Sequence, residues 1–148
     1  MTSLLHTLHI AAAIVWLGGM TLMIFAVRPS AITQLQPPQR IPLLAAVLAR
    51  FFVAVWVSIA VLLATGLGTL LQIGMKNAPL GMHLMLGIGL VMMAIFGHLY
   101  FAPFKRLQRA VAAQDWPTGG AQLAQIHKLV VTNFCLGWVA VAAVRWIA

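Results

Sequence analysis

The chain has 148 residues, 63% of them hydrophobic and only 7% charged. A soluble domain carries about a quarter charged residues, so most of this chain belongs in lipid and no stretch is left for a separate soluble domain. The formal charge of +8 comes from nine Lys and Arg against the single Asp115. The basic residues stand between apolar runs, where they set orientation and meet anionic headgroups, and no nucleic-acid partner is expected.

A membrane helix needs about 20 mostly apolar residues to cross the hydrocarbon. Four segments qualify. The first runs from about Leu4 to Val27 and stops at Arg28-Pro29. No basic stretch precedes it and no small-residue cleavage site follows, so it reads as a retained membrane helix. The second runs from about Phe51 to Gln72, with an extension from about Leu43. The third runs from about Gly81 to Phe101, ending at Pro103, and the fourth from about Ile126 to Ile147. The expected fold is all-α, an integral membrane antiparallel four-helix bundle forming one transmembrane domain over residues 1–148.

The connectors differ in kind. Residues 28–42 are polar and carry Pro29, Pro37, Pro38 and Pro42; residues 73–80 form a short turn with Gly74, Asn77 and Pro79. Residues 104–125 open on the basic turn Lys105-Arg106-Leu107-Gln108-Arg109 and reach the turn cluster Asp115-Trp116-Pro117-Thr118-Gly119-Gly120. The first and third connectors with their flanks hold Arg28, Arg40, Arg50, Lys105, Arg106, Arg109 and Lys128, against Lys76 and Arg145 on the other side. The positive-inside rule then puts both termini outward, in the periplasm of a bacterial cytoplasmic (inner) membrane.

This topology sorts five histidines into two tiers. His6, His9 and His83 fall at the outer side, His98 and His127 at the inner side. Histidine within a membrane is costly and usually has a partner or a task. Imidazoles on separate helices at one depth could ligate a haem b, or two. His6 and His9 are one turn apart on one helix and cannot both be axial to the same iron, so the outer pair is His9 or His6 with His83, and the inner pair His98 with His127. From His83 to His98 the rise is about 22 Å and the rotation about 60°. Gly87, Leu90 and Ala94 lie between on nearly the same stripe, leaving room for a planar group. Arg50 borders the inner interface, where it can meet a propionate or a lipid phosphate.

A rival set of soft ligands lies at the outer side. Met82-His83-Leu84-Met85 follows Met75, and His6 and His9 can join it. Thioether with imidazole suits Cu(I). The bland reading stands beside both: an interfacial His is often a polar anchor, and Met is a common filler of cores. Asn133 reads first as glue between helices and second as a group facing a cofactor; Cys135 reads as an inert core residue. Asp115 is the one carboxylate side chain, so no acid–base pair exists and any catalysis needs a bound cofactor.

Leu8-His9-Ile10 followed by Ile14-Val15-Trp16-Leu17-Gly18-Gly19-Met20 resembles the opening helix of the copper-resistance D (CopD) family and of HemJ-type protoporphyrinogen oxidases. Met82-His83-Leu84-Met85 through Gly97-His98-Leu99-Tyr100, with Lys105-Arg106-Leu107 after it, is similar to the matching helix of both groups. Lys128-Leu129-Val130-Val131-Thr132-Asn133 through Leu136-Gly137 resembles the last helix of small stand-alone CopD-like proteins. The resemblance implies a bundle that binds haem b or handles copper, with His9 and His83 as the family-type histidines. The HemJ-type pattern carries a lysine two residues after the histidine of the third helix. Met85 stands there instead, which argues against protoporphyrinogen oxidase activity.

The leading expectation is a haem b membrane protein that passes electrons, as a haem-dependent oxidoreductase or a carrier. A quinone or a redox partner protein would exchange those electrons, and a homo-oligomer is left open. The alternative is a copper-binding or copper-import protein of the CopD type, with His6, His9, His83, Met82 and Met85 as metal ligands. A third reading is a cofactor-free assembly subunit whose histidines are anchors.

Overall fold

The computed structural model describes residues 3–147. They form α1 (Ser3–Leu22), α2 (Arg28–Gln34), α3 (Pro37–Ile73), α4 (Leu80–Leu99), α5 (Lys105–Ala112) and α6 (Trp116–Trp146). Two π-helical segments, Met23–Val27 and Tyr100–Phe104, fuse α1 to α2 and α4 to α5. Four continuous spans result, Ser3–Gln34, Pro37–Ile73, Leu80–Ala112 and Trp116–Trp146, each long and apolar enough to cross a membrane. No strand occurs among the described residues.

The spans outrun their apolar cores, and proline explains the difference. The first was expected to stop at Arg28-Pro29 and the third at Pro103. Proline lacks an N–H and its ring crowds the carbonyl four residues back. The π segment Met23–Val27 ends one residue short of Pro29, and Tyr100–Phe104 contains Pro103. A π turn spaces the carbonyls differently from an α turn, so each helix bends through its proline and continues.

Two other boundaries are set by their ends. Leu35 and Gln36 are extended, and α3 restarts with Pro37 in its first turn, where a missing N–H costs nothing. The cluster Asp115–Gly120, read as a turn, is the start of α6: Asp115 Oδ1 accepts from the Thr118 N–H at 3.2 Å and Pro117 sits in the first turn. At the far end of α3, Gly74 adopts φ +83° and its N–H bonds Leu70 O at 2.8 Å. Only glycine takes that conformation freely.

Lipid removes the hydrophobic reason for helices to associate, so packing must hold them. Trp16, Phe52, Phe96 and Phe104 are buried together; Phe52 lies edge-on to Phe96 at 5.3 Å and to Phe104 at 4.8 Å. The outer faces carry Ile14, Phe25, Val53, Leu71 and Phe101, as a lipid-facing surface should. On α5, Leu107 and Ala110 are buried while Arg106 and Arg109 are exposed, and Lys105 Nζ lies 5.1 Å from the Tyr100 ring. The protein is thus a multi-pass membrane protein built on a lipid bilayer.

Close approach fixes α4 against α6. A Cβ on Gly81 would fall 2.7 Å from Ala143 O and 2.9 Å from Ile147 O. The Gly81 N–H bonds Ile147 O at 2.9 Å, so the start of α4 is sealed onto the end of α6.

Candidate functional site

His9 is the histidine most firmly built into the fold. It lies half-buried on α1 against α3, with Nδ1 2.6 Å from Thr65 Oγ1. Thr65 has one hydroxyl proton, and Val61 O accepts it at 2.7 Å. The Thr65 oxygen therefore accepts from His9 Nδ1–H, and His9 Nε2 keeps its lone pair. Gly66 lies beside the ring; a Cβ there would meet His9 Cε1 at 3.5 Å, an ordinary contact.

His83, in the first turn of α4, is held in the same tautomer by other means. Its Nδ1 is 3.2 Å from Pro79 O, and a carbonyl can only accept. Nε2 of His83 is again the bare nitrogen. The six-residue connector 74–79 keeps the start of α4 close to the end of α3. Met82 and Met85 flank His83 and are half-buried; Met75 is exposed.

The other candidates are placed differently. His6 is exposed on α1, one turn from His9 and close enough to interact with it electrostatically. His98 is exposed on α4, and Gly87, Leu90 and Ala94 of the expected planar-group stripe are exposed with it. That stripe faces outward, away from the core, because α4 packs chiefly on α6 through its Gly81–Met92 side. His127 lies instead in a crevice with Met23, Ile24, Arg28 and Val130. His98 does not line that crevice. Arg50 is exposed on α3. Cys135, expected in the core, is exposed on α6. Asn133 is buried, and its Nδ2 donates to Met92 O at 3.0 Å, while its Oδ1 has no partner among the described residues.

No three His, Cys, Asp or Glu side chains stand close enough to hold a metal ion among the described residues. A closed structural metal centre of those donors is therefore not built. Imidazole and thioether are each donors that suit a soft, low-coordinate cation. Haem has no support among the described residues: the Gly87, Leu90 and Ala94 stripe is exposed on α4, and His98 with it.

Nothing in the sequence singled out Thr65 as the partner of His9. Only a match of depth was readable: His9 and Thr65 each lie about two turns in from the ends of their helices. Hydropathy does not say which faces meet.

The fold and this site define a four-span helical membrane protein presenting imidazole nitrogens near one end. The family model described as "Copper resistance protein D" matches residues 45–147, most of the chain, and the protein belongs to that family. The match takes in Thr65, His83, His98 and His127 and begins after His9. No curated protein matches the chain, and no solved structure matches it.

Proposed function

We propose that the protein is a copper-handling component of a bacterial inner membrane, with Cu(I) as its cargo. The spans run antiparallel with both termini outward. Connectors of two, six and three residues between spans and the concentration of Arg and Lys at one end support that course. His9 and His83 receive the ion at the outer end through Nε2, and Met82 and Met85 supply thioethers. Met20 and Met23, buried on the first span, and Met92 in the same core continue the thioethers inward.

One observation carries the reading. Both outer histidines have Nδ1–H spent on an oxygen, Thr65 Oγ1 for one and Pro79 O for the other. Metal-ligating histidines are typically oriented in this way, with the remaining nitrogen turned to the metal. Membership in a copper-resistance family supports copper as that cation.

Competition titration of detergent-purified protein with a chromophoric Cu(I) chelator tests it. Wild type should bind Cu(I). His9→Ala and His83→Ala should each weaken binding, and His98→Ala should leave it unchanged. Equal affinity across all four proteins would remove this site. A Soret band from haem-replete cells, sharpening on reduction, would return the haem reading instead.

A further inference from the structure

At the opposite end from His9, two arginines line one crevice with no counter-charge among the described residues. Arg28 and Arg40 line one crevice of about 60 Å³ together with Ile32, Ile41, Leu44 and Gly120. Both side chains are half-buried. Arg40 Nη1 donates weakly to Leu35 O at 3.4 Å, and His127 lies near enough to Arg28 to feel its charge. The sole carboxylate side chain of the chain, Asp115, is engaged by Thr118. Guanidinium charge held against apolar walls is costly unless an anion meets it.

The crevice continues. Arg28 and His127 also border a second hollow whose other walls are apolar, Met23, Ile24, Leu48 and Val130 among them. The π segment Met23–Val27 forms part of that wall, and π turns recur at functional positions. A cationic mouth joined to an apolar groove matches an amphiphile. Guanidinium forks pair with phosphate oxygens in a bidentate manner that an ammonium cannot copy.

We propose that Arg28 and Arg40 bind a phosphate-bearing anion at this end, the headgroup of an anionic lipid whose chain lies along Met23, Ile24, Leu48 and Val130. The site is independent of copper. Its lipid neutralises the two arginines and braces the first span, the second span and α6 where they meet.

Native mass spectrometry of protein released from nanodiscs of mixed phosphatidylglycerol and phosphatidylcholine tests the site. Wild type should retain phosphatidylglycerol in preference to phosphatidylcholine. Arg28→Gln and Arg40→Gln should each cut that retention about fivefold. Arg106→Gln, the same charge loss at an exposed position lining neither hollow, should leave it unchanged. Arg28→Lys keeps the charge and loses the fork, so it should retain less than wild type; it also serves if a Gln variant fails to fold, with helical content read by circular dichroism. Inorganic phosphate separates the two sources of the anion: phosphate bound in place of lipid assigns the site to a free anion, and lipid retained in its presence assigns it to a headgroup. No lipid preference and no phosphate binding in wild type would overturn the proposal. So would an equal loss from all three Gln variants, which marks diffuse surface charge.

Discussion

His9 Nδ1 lies 2.6 Å from Thr65 Oγ1, and the threonine's own proton is already spent on Val61 O. A hydroxyl in that position fixes both the plane and the tautomer of the imidazole. Thr65→Val keeps the shape and removes the acceptor, and Thr65→Ser keeps the acceptor. Loss of such an orienting partner costs about 10–100-fold in metal affinity. Thr65→Val should therefore weaken Cu(I) binding by that range in chelator competition, with Thr65→Ser near wild type. Nitrogen-15 spectra of labelled histidine give an independent reading, since wild-type His9 should show protonated Nδ1 and bare Nε2 without any copper present.

Gly81 is where α4 touches the backbone of α6. Its missing Cβ would meet Ala143 O, Ile147 O and Val144 Cα at 2.7, 2.9 and 3.3 Å. These are main-chain atoms, so nothing nearby can swing aside. Gly81→Ala should lower stability by about 1–3 kcal/mol, the usual range for overpacking. Gly87→Ala on the same helix, with nothing within 4 Å, should be close to neutral. Thermal unfolding in detergent, followed by circular dichroism, compares the two.

The four spans were legible because about 20 apolar residues with few charges have one physical use. Their ends were not. Pro29 and Pro103 read as stops, and the π segments beside them let the helices run on. Trp116-Pro117-Thr118-Gly119-Gly120 read as a turn from composition, yet Gly119 is buried on α6 because a Cβ there would press on Ile41 Cγ2 at 2.9 Å. The histidine tiers were read from depth alone. Depth does not give rotation about the helix axis: His9 turns toward α3, while His98 and its glycine stripe turn toward lipid. Apolar residues cover every face of these helices, so no amphipathic pattern was available to fix that angle.

Asn133 ties α6 to α4 through Nδ2 and Met92 O at 3.0 Å, with Oδ1 buried and unpaired among the described residues. Hydrogen bonds between membrane helices are worth roughly 0.6–1.7 kcal/mol. The orphaned Oδ1 offsets part of that gain. Asn133→Leu should thus change unfolding stability by less than the bond alone suggests, about 1 kcal/mol or under, and leave Cu(I) affinity unchanged. A loss of copper binding in a variant that still folds would instead give Asn133 a place on the cargo's path.

Asp115 lies outside the four spans, in the connector before α6, and is fully exposed. The Thr118 hydroxyl, and after it the Thr118 N–H, hold its carboxyl below the ordinary carboxylate value of 3.8. The ionised form also suits the positive end of the α6 dipole. Because the folded-state pKa is the lower one, the stabilisation is in place above the unfolded value and vanishes as pH falls through the folded value. Lowering the pH from neutral to below that point should loosen the first turn of α6 in wild type. Asp115→Asn keeps an oxygen for Thr118 but cannot titrate, so its unfolding temperature should lack this acid-dependent component. Asp115→Ala should begin lower at neutral pH and also lose that component. Hydrogen exchange at the Thr118 amide, measured across the same pH range, locates the effect at the cap. Unchanged protection there in wild type on acidification would show that the carboxylate does not hold the helix start.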